Sequence, residues 1–347
     1  MKNYLRLFGL LVGIAISGLF LYLAFHTSDF GKIVSILVSL RYGWFIWSLA
    51  AAAIHLFLKS VRWQFILSSL KHITVVSAFS NIMIGLMANN LLPARMGEFV
   101  RLYSMAKTEK LSKSAVLSTL IVEKLFDGYC LILFLVIGFS LGNFSLAPTV
   151  LLLIRRASII ALVIYTCVLI GLIFLKQYSL PLIHKFKQRK TDSKATQFIL
   201  EKLVLFIEGL RILKGLKSIT IVVVLSILIW LSAVTSTYLL MFMFETNGIT
   251  MGNNVGFIGN IYLLGVVAIG SMIPASPGFI GTYEWFAKSA LMTFSINEPT
   301  IDGYIIFSHG SGYILYTFIG LIIFFRRHLS FKMVREQFRR KELINKR

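Results

Sequence analysis

The stretch NNLLPARMGEFVRLYSMAK, residues 89–107, decides the fold of this chain. It follows an apolar run over 77–92 that would rise only about 24 Å as a helix, short of a hydrocarbon core of roughly 30 Å. Pro93 removes a backbone donor and biases Leu92 away from the helical region, so a break is expected there. We therefore predict a re-entrant hairpin that turns at this proline and returns through an amphipathic helix over about 97–107.

The composition predicts an all-α polytopic membrane protein. The chain is 57% hydrophobic and only 14% charged, whereas soluble domains contain about 25% charged residues. Continuous apolar runs long enough to cross a bilayer predict about six spanning helices. These runs lie at 5–25, 43–66, 115–141, 150–175, 219–244 and 302–325.

The net charge of +21 follows membrane topology rather than a nucleic-acid surface. Segment 176–217 contains ten Lys and Arg residues and segment 326–347 contains nine, whereas connection 142–149 contains none. The positive-inside rule then places both termini and segment 176–217 in the cytoplasm. There they would attract anionic inner-leaflet lipids, and the spacing of apolar residues over 195–215 predicts an amphipathic helix on that leaflet.

A second interrupted segment, SMIPASPGFIGTYEWF over 271–286, repeats the pattern of the first. It joins two short apolar runs, 255–273 and 281–294, and topology requires it to enter from the outer face. Paired interrupted segments of this kind predict an inverted repeat with its site where the broken helices meet. That the interruptions are only kinks that fill space stays an alternative. The predicted tip residues are Asn89, Asn90, Pro93, Gly97, Pro274, Pro277, Gly278 and Gly281.

Charged side chains inside the apolar segments predict the functional site. Each costs about 2.5–3.5 kcal/mol at the centre of a membrane helix, so it is kept where it is paired or faces a cavity. We predict that Arg62, Arg95 and Arg101 bind a lipid phosphate, because a guanidinium binds that group bidentately. Interfacial snorkelling of the basic residues and a purely structural ion-pair lock stay open. The predicted charge network around the arginines comprises Lys59, Glu98, Glu123, Asp127 and Glu284.

The sequence predicts no metal site and no cofactor. The six histidines form no HxxxH pattern, and Cys130 and Cys167 lie in apolar runs without CxxC spacing. Nucleotide-binding and hydrolase motifs are absent from the sequence. His55 and His309 lie in or near membrane helices, where either core packing or the lining of a cavity would explain them.

Three ordered motifs resemble those of a known family. They are N-x-L-x-P-A-R-x-G-E-x-x-R over 89–101, E-K-x-x-D over 123–127 and P-x-S-P-G-x-x-G-x-x-E over 274–284. Together they resemble the flippase-like membrane region of the lysylphosphatidylglycerol synthases. The resemblance covers about residues 5–325 and implies movement of a phosphate-headgroup lipid from the inner to the outer leaflet of a prokaryotic plasma membrane.

The resemblance also sets the expected domain organisation. Residues 1–330 would form a single flippase-like transmembrane domain, followed by a basic cytoplasmic tail at 331–347. The bifunctional members of the family carry a large soluble domain that aminoacylates phosphatidylglycerol. No soluble segment here is long enough for it, so lysine transfer is not expected.

Other functions and partners stay open beside the lipid translocator. The phospholipid, or another lipid with a phosphate headgroup, is the expected partner, and a homo-oligomer or a separate synthase would be compatible with the sequence. One alternative is a non-catalytic membrane partner of an envelope or glycan-assembly enzyme. Another is a lipid-linked transferase that uses Glu123 and Asp127 as base or metal ligands.

Overall fold

The computed structural model describes residues 2–92, 96–142, 148–188, 215–246, 248–273 and 277–327. Their fold is α-helical, which confirms the predicted all-α polytopic class. A two-residue antiparallel ladder joins β1 (Glu245–Thr246) to β2 (Ile249–Thr250). The helices are α1 (Lys2–Phe25), α2 (Phe30–Val38), α3 (Gly43–Leu67), α4 (Val75–Leu91), α5 (Gly97–Glu109), α6 (Lys113–Leu141), α7 (Pro148–Gln188), α8 (Leu216–Met241), α9 (Met251–Gly270), α10 (Thr282–Leu291) and α11 (Glu298–Arg326).

Within the described residues, five helices are long and apolar enough to cross a membrane. They are α3, residues Leu151–Gly171 of α7, α8, α9 and α11. A sixth span results if Gly13–Phe25 and α2, which meet at 79°, count as one bent element. Helix α9 was expected to be one short arm of a hairpin, yet its 20 residues are long and apolar enough to cross a membrane. α6 is longer still, at 29 residues, but carries the predicted site carboxylates.

Helix α2 was not predicted from the sequence. Asp29 caps its first turn, because the side chain accepts a hydrogen bond of 3.1 Å from the backbone N–H of Lys32. Ile33 is buried while its neighbours are largely exposed. An N-cap aspartate followed by apolar residues at helical spacing is the signal in the sequence for this helix, which is too short to cross a membrane.

The helices on either side of the first break, whose described residues are Leu92 and Met96, pack tightly as an antiparallel pair. Near the break, Gly97 lies so close to Gly85 that a Cβ on Gly97 would stand 2.1 Å from the Gly85 carbonyl oxygen. Asn89 Oδ1 accepts a hydrogen bond of 2.8 Å from the Gly97 N–H. At the opposite end of the pair, Ser77 Oγ donates to Glu109 Oε1 at 2.6 Å. α4 and α5 therefore form a helical hairpin, and its re-entry from the cytoplasm stays a prediction.

The helices on either side of the second break, whose described residues are 271–273 and 277–281, are antiparallel as well. Gly270 lies against the ring of Phe286, and Gly259 lies further away against the ring of Phe294, which follows α10. Gly281 begins α10 at φ +93°, and a Cβ there would stand 2.4 Å from the Ser17 carbonyl oxygen of α1. The inverted repeat of the two hairpins stays a prediction.

Helix α11 contacts both hairpins. Gly320 lies against α4, where an added Cβ would stand 2.4 Å from Met87 Cβ. His309, eleven residues from the start of α11, contacts the second break. Beside them, α3 and α8 pack antiparallel, and His55 Nδ1 lies 3.0 Å from the Ile229 carbonyl oxygen. That contact favours the core-packing interpretation of His55.

Several predictions fall outside the described residues. They concern Pro93, Arg95 and Pro274, the amphipathic helix over 195–215 and the tail at 331–347. α7 continues to Gln188, so the start of the predicted cytoplasmic segment 176–217 is helical.

Candidate functional site

Arg101 and Glu123 form a bidentate ion pair between α5 and α6. Arg101 Nη1 donates to Oε1 at 2.9 Å and Nη2 donates to Oε2 at 2.7 Å. Both side chains are buried, and the guanidinium lies 3.6 Å from the centre of the Trp63 ring. Two parallel charge-assisted bonds and a stacked aromatic ring are strong interactions in an interior that excludes water. Gly85 makes room for them, since it faces Arg101 Cβ without a side chain of its own.

Arg62 links three helices in the same cluster. Its Nη2 lies 2.8 Å from Asp127 Oδ1 of α6, and its Nη1 donates to Ser226 Oγ of α8 at 2.8 Å. Nη2 is also 3.7 Å from Glu123 Oε1. The Arg62 side chain is 0% exposed, so it does not snorkel to an interface. The E-K-x-x-D spacing places both carboxylates on one face of α6, which is why one guanidinium reaches both.

The cluster has a partly exposed edge. Lys59 Nζ lies 4.0 Å from Glu123 Oε1, and Lys124 Nζ lies 2.7 Å from Glu98 Oε1. The side chains of Lys124 and Glu98 are 47% and 33% exposed. In this cluster the four cations Lys59, Arg62, Arg101 and Lys124 face the three carboxylates Glu98, Glu123 and Asp127, which leaves one positive charge.

The structure thus joins most of the predicted site residues and separates one. Glu284 was expected in the same charge network, but it pairs with His309 beside the second break. Trp63 and Ser226 were not predicted as partners of the arginines. The indole follows Arg62 directly in the sequence, but only the packing of α5 onto α3 shows that it lies under Arg101. Among the described residues, the Nε atoms of Arg62 and Arg101 have no hydrogen-bond partner.

The two breaks meet on α11. Asn90, just before the first break, donates from Nδ2 to the Tyr313 carbonyl at 3.1 Å and to Thr317 Oγ1 at 2.9 Å. Gly278, in the second break, has φ +71°, and a Cβ there would stand 2.4 Å from the Tyr313 ring and 3.7 Å from Asn90 Cα. Only glycine fits this conformation and this space without strain. The structure therefore brings predicted tip residues of both segments into contact.

Glu284 and His309 form a compact polar unit beside this meeting point. Glu284 Oε1 lies 2.5 Å from His309 Nδ1, and Glu284 Oε2 accepts a hydrogen bond of 2.6 Å from the Gly281 N–H. His309 Nε2 lies 2.9 Å from the Gly278 carbonyl oxygen. Tyr283 stacks on the imidazole with ring centres 4.2 Å apart.

A second buried charge cluster, which was not predicted, joins α1, α10 and α11. Lys288 Nζ lies 2.9 Å from Asp302 Oδ1 and 2.7 Å from Glu298 Oε1, and it donates to the Ala24 carbonyl. Ser28 Oγ donates to Asp302 as well. The signal in the sequence was Glu298 and Asp302 at a spacing of four, with a lysine among apolar residues in the preceding segment. Among the described residues, no group of three or more His, Cys, Asp or Glu side chains could hold a metal ion.

The helical fold and the buried ion pairs define a polytopic helical membrane protein with a charged interior. A model of the family described as lysylphosphatidylglycerol synthase TM region matches residues 10–320. The chain belongs to this family, and it is an integral membrane protein of lipid metabolism or transport. Comparisons with curated proteins and with solved structures gave no significant match.

Proposed function

We propose that this protein translocates a lipid with a phosphate headgroup from the inner to the outer leaflet. One observation carries the proposal: a buried ion-pair network with one excess positive charge includes Arg101, about one turn after α5 begins at the first break, and both breaks contact α11. Intramembrane charges are retained mainly where a polar substrate or ion passes. Interrupted helices at corresponding positions mark such a path in many transporters.

The exposure of the cations suggests the order in which they meet the headgroup. Arg101 is held by both oxygens of Glu123, so the partly exposed Lys59 and Lys124 are accessible first. Arg95 precedes Arg101 by six residues in the first motif, so we assign it to the first contact with the headgroup as well. A phosphate then replaces Glu123 as the bidentate partner of Arg101, which exchanges one anion for another.

The excess charge of the cluster limits the headgroup. The described residues of the cluster carry one excess positive charge and Arg95 adds a second, so the cluster favours an anionic headgroup such as that of a phospholipid with one phosphate. A headgroup with a net positive charge would bring a cation to an interior that is already positive, unless its own phosphate enters first. The acyl chains stay in the bilayer throughout, because the proposal requires only the headgroup to pass between the helix breaks.

A leaflet-resolved assay tests the proposal. The protein is reconstituted in liposomes with fluorescent anionic, zwitterionic and polyprenyl-phosphate lipids, and dithionite quenching follows their exposure. We expect rapid, headgroup-dependent exposure with the wild type, loss of it with Arg95→Ala and a slower rate with Lys124→Gln. Arg156→Ala serves as the matched control, since Arg156 is exposed on α7, away from the cluster.

Two results would contradict the proposal. Normal exposure with Arg95→Ala, in protein that elutes as the wild type does on size exclusion, would remove the role of the arginines. Rates equal to those of empty liposomes for every probe would favour the alternative of a non-catalytic membrane partner of an envelope enzyme.

A further inference from the structure

The contacts of His309 require one shared hydrogen between its ring and Glu284. Its Nε2 lies 2.9 Å from the Gly278 carbonyl oxygen, which can only accept, so Nε2 carries a hydrogen. Its Nδ1 lies 2.5 Å from Glu284 Oε1. At that distance one hydrogen must lie between the two atoms, on the imidazolium or on the carboxylic acid, because otherwise two lone pairs would face each other.

Loss of that hydrogen breaks the arrangement in either tautomer of the neutral ring. If the remaining hydrogen stays on Nε2, then Nδ1 and the carboxylate repel each other. If it moves to Nδ1, then Nε2 presents a lone pair to the Gly278 carbonyl oxygen, and the bond to the second break is lost. The described conformation therefore belongs to the state with one proton bound, whose net charge is zero.

The pair lies where it can control the second break. His309 is eleven residues from the start of the 29-residue α11, about 16 Å along a helix about 43 Å long. Glu284 binds the Gly281 N–H at the start of α10, and His309 binds Gly278 within the break. Gly278 in turn packs on Tyr313, which binds Asn90 just before the first break.

We propose that Glu284 and His309 form a proton-binding site whose occupancy holds the second break closed on α11. A proton enters the pair and closes the break, and its departure leaves one negative charge and opens it. Proton binding by itself does not depend on the proposed function. Its role in transport rests on that function: the site would couple translocation of the lipid to a proton gradient, which is a source of free energy for a chain without a nucleotide-binding motif.

The groups that contact the pair among the described residues are uncharged, and the buried charged residues of the same two helices pair with each other. α10 and α11 contribute Tyr283 and Tyr313, and also Lys288 and Asp302, which pair with each other. The contacts described from α4 and α1 are neutral, namely Asn90 at Tyr313 and the Ser17 backbone at Gly281. The His309 side chain is 15% exposed, so the ring is not sealed from proton exchange.

Amide hydrogen exchange tests proton binding without a transport assay. Exchange of residues 277–285 is measured by mass spectrometry from pH 5 to pH 9 in liposomes and corrected for the intrinsic pH dependence. We expect wild-type protection to fall about tenfold per pH unit once the pair begins to lose its proton, as linkage to one proton requires. Protection that is constant over this range would overturn the proposal.

Glu284→Gln is the decisive variant. The glutamine amide can donate to His309 Nδ1 and accept from the Gly281 N–H, so it imitates the protonated carboxyl without a removable proton. We expect its protection to be high at every pH. Glu245→Gln, at the surface ladder, is the matched control and should keep the wild-type profile. A Glu284→Gln profile that falls with pH like the wild type would also overturn the proposal.

An imposed pH gradient tests the coupling. In liposomes that translocate lipid, a gradient should change the wild-type rate severalfold, and Glu284→Gln should remove that response. Absence of translocation in the wild type would count against the proposed function, whereas the exchange experiment would still decide proton binding. A translocation rate that does not respond to the gradient, together with pH-dependent protection, would overturn the proposed coupling but not the proton-binding site.

Discussion

Asn90 and Tyr313 exchange two hydrogen bonds across the interface between α4 and α11. Asn90 Nδ2 donates to the Tyr313 carbonyl at 3.1 Å, and the Tyr313 hydroxyl donates to the Asn90 carbonyl at 3.0 Å. The same tyrosine ring lies against Gly278 of the second break. One residue of α11 therefore holds the ends of both interrupted segments, and the two breaks cannot separate without changing its contacts.

Tyr313→Phe removes one bond of this exchange and leaves the Asn90 carbonyl without that donor. We expect a loss of about 1 kcal/mol in stability, measured as a lower Tm of the detergent-solubilised protein. Tyr316→Phe is the control, because the Tyr316 hydroxyl forms no hydrogen bond with the described residues. Equal Tm values for the two variants would show that the hydroxyl does not hold the break.

Glu123→Gln should be the most destabilising neutral substitution in the charge cluster. It leaves the buried Arg101 with Glu98, 4.0 Å away, in place of its bidentate partner, and a broken buried pair costs about 3–5 kcal/mol. Asp127→Asn should cost less, since Arg62 keeps Ser226 and lies 3.7 Å from Glu123. Thermal unfolding in detergent ranks the two variants.

Glu245→Gln provides the reference for that ranking. Glu245 pairs with Arg41 at the surface, where an ion pair contributes about 0–1 kcal/mol. If Glu123→Gln unfolded at the same temperature as Glu245→Gln, the bidentate pair would not contribute to stability, and its retention would have to be explained by substrate binding alone.

Gly278→Ala and Gly281→Ala should both disrupt the second break. Each glycine has a positive φ, and an added Cβ would stand 2.4 Å from a neighbouring atom. Such conformations cost about 1–3 kcal/mol for other residues, before any clash. Gly310→Ala is a matched control on α11, where no atom lies within 4 Å of the added Cβ. Poor folding of the control as well would point to α11 as a whole rather than to the break.

Much of the fold follows from the sequence because apolar length and proline placement act locally. Pro93 and the Pro-Gly run near Gly278 interrupt apolar segments, and the structure has helix ends at both places. The spacing of Glu123 and Asp127 likewise fixes a shared face of α6, whatever packs against it. Such features depend on a few neighbouring residues, so they can be predicted without knowledge of the tertiary structure.

The site partners could not be predicted in the same way. Trp63 lies under Arg101, and His309 binds Glu284, because helices far apart in the chain pack together. Glu284 was grouped with the arginines on charge alone, because every charged side chain is costly inside a membrane. The packing of α10 on α11 instead gives it a separate partner. Helix α2 was not predicted for a different reason, because its nine residues are too few to cross a membrane.

The stability of the first hairpin should depend on pH through Glu109, which lies at its open end, where α4 begins and α5 ends. Its carboxylate accepts hydrogen bonds from Ser77 Oγ at 2.6 Å and from Lys71 Nζ at 3.1 Å. The Ser77 bond, followed by Lys71, lowers the pKa of Glu109 below its usual value of 4.5. Its stabilisation is therefore complete above that usual value and is lost as the pH falls through the lower pKa of the folded state.

Melting curves of the wild type and Glu109→Gln between pH 3 and pH 7 check this dependence. We expect the wild type to have the higher Tm at pH 7 and the difference to vanish as the pH falls below 4.5. Ser77→Ala removes the largest cause of the lowered pKa, so its loss of stability on acidification should be smaller than in the wild type and should be complete at a higher pH. A difference in Tm between wild type and Glu109→Gln that stays constant to pH 3 would mean that the carboxylate at the base of α4 and α5 does not titrate with unfolding of the hairpin.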